Sequence, residues 1–170
     1  MELQPVLKGD LLKIRPLLVT DFNALFEIAS DPLIWIQHPS SDRYKLEVFR
    51  EFFQGALESC GAFVIFDTST NQIIGSSRYY NFDADFRHVF IGYTFLARNY
   101  WGGRYNLELK LLMLNHAFKE VEAVFFDVGV NNIRSQKALG KINAQLASGN
   151  EAKLRYVIKR EDFLKYENNN

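Results

Sequence analysis

The apolar residues of this chain change period several times, and each change marks a predicted element. Leu11-Leu12-Lys13-Ile14-Arg15-Pro16-Leu17 reads as a first strand, closed by Pro16. Thr20-Asp21 then supplies a helix cap for Phe22, Leu25, Phe26 and Ile28-Ala29, with the helix ending before Pro32. A second helix is predicted over Leu46 to Leu57, its apolar side formed by Val48, Phe49, Phe52, Phe53, Ala56 and Leu57. Ala62 to Phe66 is a strand, Asp67 to Gln72 a turn, and Ile73 to Tyr80 the returning hairpin partner. After a turn at Asp83 to Phe86, the run from His88 to Leu96 is read as a buried strand. Leu107, Leu111, Leu114 and Phe118 then recur at three or four residues, the spacing of one helix face. Ala123 to Val130 is a buried strand, Ile133 to Lys141 a short helix, and Leu154 to Lys159 a last strand. The order β-α-α-β-β-β-α-β-α-β predicts an α+β fold. Its sheet is mixed but mostly antiparallel, with about four flanking helices and a helical crossover late in the chain.

Composition narrows the partners. A chain of 170 residues suits one domain spanning 1–170, with a core from about 10 to 163 and a frayed tail over 164–170. Hydrophobic residues are 48% and aromatic residues 15%, enough for a substantial core. Lys plus Arg and Asp plus Glu both number 20, so no net basic field is available to hold a polynucleotide. A small ligand is expected instead. Cys60 is the only cysteine, which excludes an intrachain disulfide and a cysteine-based metal site. His38, His88 and His116 show no paired ligand spacing, so no metal is expected. The N-terminal residues lack a signal-peptide pattern, and no run approaches the ~18 apolar residues of a membrane span. A cytoplasmic protein with no membrane partner is the expectation.

The most informative segment is Tyr100-Trp101-Gly102-Gly103-Arg104-Tyr105-Asn106. It joins a predicted strand to a predicted helix through a glycine-containing turn. Such a turn presents unpaired backbone N–H groups where the helix dipole is positive, a site suited to a phosphate or pyrophosphate.

Motifs on either side of this turn resemble a known family. Ile91-Gly92-Tyr93-Thr94-Phe95-Leu96-Ala97-Arg98-Asn99-Tyr100-Trp101-Gly102 resembles the IGYxLxxxYWG segment of Gcn5-related N-acetyltransferases (GNAT), in their RimJ/RimL-like branch. Asn132-Ile133-Arg134-Ser135 followed by Ala138-Leu139-Gly140-Lys141 resembles that branch's NxxSxxxxEKxG helix, and Leu11 to Leu17 with Asp21 its LRPLxxxD opening. The resemblance runs from about residue 10 to 163. It implies a GNAT fold with splayed middle strands and acetyl-CoA as co-substrate. The pyrophosphate would lie on the N–H groups of Trp101, Gly102, Gly103, Arg104, Tyr105 and Asn106, and the pantetheine arm would add like a strand against Phe95, Leu96 and Ala97. Asn132, Ser135 and Lys137 would join the cofactor site. Trp35, Arg78, Tyr79 and Tyr80 would flank the acceptor, and the family's habit of dimerising implies a homodimer.

The chain also departs from the family pattern. Arg104 and Asn106 stand at two positions that are usually small. Phe90 occupies the place where many members carry a glutamate base, and Leu139 that of a tyrosine acid. The resemblance leaves His88, on the same strand face as Phe90, as candidate base and Ser135 as candidate acid to the leaving thiolate. Asn132 and Ser135 are equally suited to capping their short helix. An α-amine of pKa about 7.7–8.0 is far more often neutral at pH 7 than a lysine at about 10.4. A site without a carboxylate base therefore favours a peptide N-terminus over a lysine side chain. A small amine (amino acid, polyamine or antibiotic), or an acyl-CoA-binding protein without catalysis, are the alternatives.

Overall fold

The computed structural model describes residues 1–168. Its strands are β1 (Leu7–Lys8), β2 (Leu12–Pro16), β3 (Ala62–Asp67), β4 (Ile73–Asp83), β5 (His88–Leu96), β6 (Ala123–Gly129), β7 (Gln145–Gly149) and β8 (Lys153–Lys159). Its α-helices are α1 (Phe22–Ala29), α2 (Leu46–Glu58), α3 (Tyr105–Ala117), α4 (Ile133–Gly140) and α5 (Arg160–Asn168). All eight strands form one sheet in the order β1-β2-β3-β4-β5-β6-β8-β7. Only β5 and β6 run parallel, because α3 carries the chain across between them.

Apolar side chains leave both faces of this sheet, so helices cover both. Leu12 and Ile14 of β2, Phe63 and Ile65 of β3 and Ile91 of β5 join Leu109, Met113 and Leu114 of α3 in one core. On the other face Ala62, Val64 and Phe95 meet Leu25 and Ala29 of α1 and Phe49, Phe53 and Ala56 of α2. Strand β3 lies under both layers, which explains its unbroken apolar run. Asp21 precedes α1 but does not cap it with its side chain, as the sequence suggested. Its buried carboxylate instead accepts the Leu18 N–H at 2.8 Å and both guanidinium nitrogens of Arg15 at 2.7 and 2.8 Å. The residue therefore locks the β2–α1 link.

Three elements were not expected. Strand β1 is two residues long, and β7 is an edge strand whose residues are all exposed, so neither carries an apolar pattern. The stretch from 164, expected to fray, is the second half of α5 as far as Asn168. Phe163 holds that helix in the core, its ring 5.1 Å from Phe118. Residues 169–170 of the expected tail lie outside the described residues.

Two irregularities in β5 shape the centre of the sheet. Ser76 pairs with Phe95 and Arg78 with Gly92, so Ser77 alone faces Tyr93 and Thr94. This is a β-bulge, with Tyr93 in the left-handed region at φ 54°. On the opposite edge, β5 pairs with β6 only through His88–Ala123, Val89–Val124 and Phe90–Phe125. Beyond Phe90 the strands part. Strand β5 continues along β4 to Leu96, while β6 continues along β8 to Gly129. The expected splay is present.

Candidate functional site

The gap between β5 and β6 opens toward the turn before α3. The Ala97 N–H is bonded to the Ile74 carbonyl of β4 at 2.9 Å. Strand alternation therefore turns the Leu96 N–H and carbonyl into the gap. The indole N–H of Trp101 already donates to the Leu96 carbonyl at 2.9 Å, which leaves the Leu96 N–H as the free donor there.

In the turn itself the Trp101 N–H bonds the Arg98 carbonyl, and the next backbone N–H with a backbone acceptor is that of Glu108, on Arg104. The N–H groups of Gly102, Gly103, Arg104, Tyr105, Asn106 and Leu107 find no acceptor among the described residues. Gly102 takes φ 74°, and a Cβ added at Gly102 or Gly103 would meet nothing within 4 Å. The concave run of donors is thus open to solvent at a helix N-terminus, where negative charge is favoured. These features fit a pyrophosphate.

Asp67, at the end of β3, fixes the flanks of that turn. Its carboxylate accepts the hydroxyls of Tyr100 at 3.1 Å and Tyr105 at 3.3 Å, besides the N–H and hydroxyl of Ser69 at 2.8 Å each. These bonds, led by that from the Ser69 hydroxyl, hold the carboxyl below its ordinary pKa.

Helix α4 faces the turn from the other side of the gap. The Arg134 guanidinium stacks 3.9 Å from the Trp101 ring centroid and donates to the Ile34 carbonyl at 3.0 Å. Asn132 caps α4, its Oδ1 accepting the Ser135 N–H at 3.2 Å. The Ser135 hydroxyl is half-buried and has no hydrogen-bond partner among the described residues, so it remains available. Lys137 is exposed two residues further along α4, and Arg104 is exposed in the turn. Within α3, Asn106 holds a buried Oδ1 without a partner. Lys110, one turn on, is buried with its ammonium 5.6 Å from the Phe126 ring of β6. Burial pushes the pKa of that ammonium down to about 8.

The face of the sheet toward α2 carries the remaining candidates. Phe90 and Phe125 stack at 5.1 Å where the strands part. His88 packs on their far side, 5.8 Å from Phe90 and 5.5 Å from Phe125, in the paired part of the strands. The structure does not bring His88 to the gap itself. Tyr80 lies across β5, its ring 5.2 Å from that of Phe90, and burial raises its pKa. That crossing requires glycine at 92, since a Cβ there would stand 2.9 Å from the Tyr80 ring. Asp127 of β6 is tied by Arg155 at 2.7 and 2.9 Å and Lys153 at 3.0 Å. The Arg155 hydrogen bond is the main cause of its lowered pKa.

Two expected acceptor residues prove to be core. Tyr79 is fully buried on the α3 side, its hydroxyl bonded to the Met113 carbonyl at 2.5 Å. Trp35 is 2% exposed, with its indole N–H on the Ala29 carbonyl at 2.7 Å. Neither has a polar group left for an acceptor. Arg78 does reach a recess beside the bulge, together with Arg43 and Tyr93. A larger recess between α1 and α2, lined by Phe22, Arg50 and Phe53, lies away from the gap. Sequence reasoning passed over Arg43, Asp67 and Lys110. Arg43 sits in a loop without a motif, Asp67 in a stretch that reads only as a turn, and Lys110 on a helix position that periodicity leaves polar.

Comparison with known proteins agrees with this geometry. Residues 12–145 match the family model for the acetyltransferase (GNAT) domain. A GNAT-family acetyltransferase from Bacillus anthracis is 21% identical, with a TM-score of 0.77 over 92% of this chain and 99% of that one. RimJ of Mycobacterium smegmatis, solved with CoA-disulfide, is 16% identical, with a TM-score of 0.73 over 94% of this chain and 88% of its own. Spermidine N-acetyltransferase of Vibrio cholerae, solved with CoA and spermine, is 15% identical, with a TM-score of 0.72 over 92% and 99%. At these identities the likeness is one of fold. No curated protein matches the chain.

Proposed function

The chain belongs to the GNAT acetyltransferase family, and from that premise we propose that it acetylates α-amines, such as a peptide N-terminus, by direct attack on acetyl-CoA. The observation that carries this reading is the run of unpaired N–H groups from Gly102 to Leu107 at the open end of the β5–β6 gap. In this reading they hold the pyrophosphate, and the Leu96 N–H bonds the pantetheine arm inside the gap. Acetyl-CoA supplies the activated thioester. The protein orients it, excludes water along the Phe90–Phe125 contact, and keeps a free hydroxyl, that of Ser135, on α4. Ser135 donates its proton to the departing thiolate.

The choice of an α-amine follows from the absence of a poised carboxylate base among the described residues. Asp127, beside Tyr80, is ion-paired and held below its ordinary pKa, so it is a poor proton acceptor. An amine with a pKa near 8 supplies its neutral form without such a base, whereas a lysine amine of about 10.4 supplies very little. The acceptor proton leaves to water at the gap rather than to His88, which stands behind the phenylalanine pair.

Ser135→Ala tests the arrangement. The expected result is a kcat lowered by about 100- to 10,000-fold, the range of a lost general acid, with acetyl-CoA affinity retained. Thiol release measured against amines and N-terminal peptides, with acetyl-CoA affinity from thermal shift, separates the two effects. An unchanged kcat would remove Ser135 from the chemistry. Acetyl-CoA binding without turnover of any amine would leave an acyl-CoA-binding protein.

A further inference from the structure

Two guanidinium groups meet in one recess, and among the described residues neither forms an ion pair. The recess, about 310 Å³, lies between the loop before α2, α2 itself and the bulge of β5, and Arg43, Phe52, Arg78 and Tyr93 line it. Arg78 is 7% exposed. Its Nη1 donates to the Gly55 carbonyl at 3.1 Å and its Nη2 to that of Phe52 at 3.5 Å. Its Nε is buried and has no acceptor. Its guanidinium lies 4.2 Å from the Tyr93 ring centroid.

Arg43 is no better satisfied. Its guanidinium stacks over Phe52 at 4.5 Å, and its Nη1 stands 3.1 Å from His38 Nε2. His38 Nδ1 accepts the Ser40 N–H at 3.0 Å, so the neutral ring carries its proton on Nε2. That nitrogen has no lone pair to offer Arg43. Protonation would add a third positive charge, and burial already pushes His38 down to about 4. Burial pushes Arg43 down to about 10; Tyr93 and Asp42 oppose that shift and repulsion from Arg78 adds to it. Asp42 and Glu51 also line the recess. Among the described residues, however, no ion pair joins a carboxylate to either arginine. Buried cations are ordinarily paired, because desolvation without a partner is costly.

The recess is also placed for the reaction. Arg78 pairs with Gly92 across the β4–β5 ladder, and Tyr93 is the bulge residue just past the point where β5 leaves β6. We propose that Arg43 and Arg78 bind a carboxylate carried by the amine acceptor, so that the preferred substrate is an amine with an acid group close to it. This rests on the acetyltransferase reading above. Either an α-amino acid or a peptide whose first residue is Asp or Glu has that chemistry. A guanidinium suits it through charge-assisted, two-pronged hydrogen bonding.

The test compares acids with their amides. Thiol release is measured with L-leucine, L-leucinamide and short amidated peptides beginning with Glu or Gln. Each rate is expressed per neutral amine, because the free amino acid has the more basic α-amine of its pair. The wild-type enzyme is expected to favour the carboxylate member of a pair by at least about tenfold in kcat/KM, the worth of one charge-assisted bond. Arg43→Gln should bring that ratio close to one by raising KM for the acid, and Arg43→Lys should keep part of it. Turnover of leucine over leucinamide assigns an α-carboxylate, and turnover of the Glu over the Gln peptide assigns a side chain. Equal turnover of acids and amides by the wild type, or an equal loss for both in Arg43→Gln, would make the arginines structural and overturn the proposal. If no amine is turned over, thermal shifts with CoA plus N-acetyl-L-leucine or N-acetyl-L-leucinamide still decide it. A shift by the acid alone, lost in Arg43→Gln, keeps the carboxylate pocket while the catalytic reading fails. Equal or absent shifts overturn the pocket.

Discussion

At the residue scale, the uncommon features are polar side chains taken into the interior, and Lys110 shows what burial costs. Its side chain is buried on α3 with the ammonium 5.6 Å from the Phe126 ring, and burial lowers its pKa from 10.5 to about 8. The unfolded chain therefore holds this proton up to about pH 10.5, and the folded chain releases it near pH 8. Between those values the unfolded state binds more protons, so this group's contribution to stability rises with pH, and below pH 8 the full penalty stands. The gap corresponds to about 3 kcal/mol at most, at ~1.4 kcal/mol per pK unit. Lys110→Met, nearly isosteric and apolar, is expected to stabilise the protein by about 1–3 kcal/mol at pH 7. Denaturant unfolding of both proteins at pH 7 and pH 10 checks the sign. The advantage of Met should shrink at the higher pH, and a constant difference would mean that packing, not charge, governs the site. Measuring the difference between the two proteins cancels Tyr79 and Tyr80, whose pKa values burial also raises.

At the scale of elements, the turn before α3 depends on a residue outside it. Asp67 receives both Tyr100 and Tyr105, whose rings meet edge to face at 4.8 Å, so one carboxylate sets the ends of the donor-rich loop. Asp67→Ala is expected to weaken acetyl-CoA binding on the order of tenfold, because the loop must then be ordered by the ligand. Isothermal titration checks this, and unchanged affinity would show the loop to be self-supporting. The boundaries of α1 and β5 were legible because an apolar pattern and flanking turn residues coincide there. The donor-rich turn was legible because Gly102 and Gly103 separate a strand pattern from a helix pattern. Strand β7 was not, since an exposed edge strand needs no apolar face, and α5 buries one aromatic anchor, Phe163. The same limit applies to the site. Arg78 could be singled out on its hairpin, but its neighbour Arg43 is more than thirty residues away and arrives only through the packing of α2 on β4. Tyr79 and Trp35 looked like pocket aromatics because residue type does not say which face of the sheet receives a side chain. The bulge at Tyr93, which changes the alternation within β5, has no local sequence marker.

For the whole molecule, the sheet behaves as two units joined by a short seam. Strands β1 to β5 form one continuous ladder, as do β6, β8 and β7, and only the pairs at His88, Val89 and Phe90 connect them. The seam is reinforced by the stacked Phe90–Phe125 pair, against which the Tyr80 ring packs at 5.2 Å from Phe90. Helices α3 and α5 bridge the units through the core that Leu109, Met113, Val124 and Phe163 share. Backbone edges inside the gap have no strand partner, and a ligand lying there would supply one to β5 while pairing the N–H groups of Gly102 to Leu107. Hydrogen exchange should therefore divide by unit. Amides of β3 and β4, paired on both sides and covered on both faces, are expected to exchange slowest, and those of β6 and β8 faster. Addition of acetyl-CoA should slow exchange at Leu96 and at Gly102 to Leu107 first, and then across β6 as the gap closes. Melting temperature should rise with ligand concentration in parallel, by RT ln(1 + [L]/Kd) in free energy. Protection confined to the turn, with β6 unchanged, would mean that the ligand docks by its phosphates alone and the two units stay mechanically separate. Protection spreading into β6 would make acetyl-CoA the missing strand between the halves.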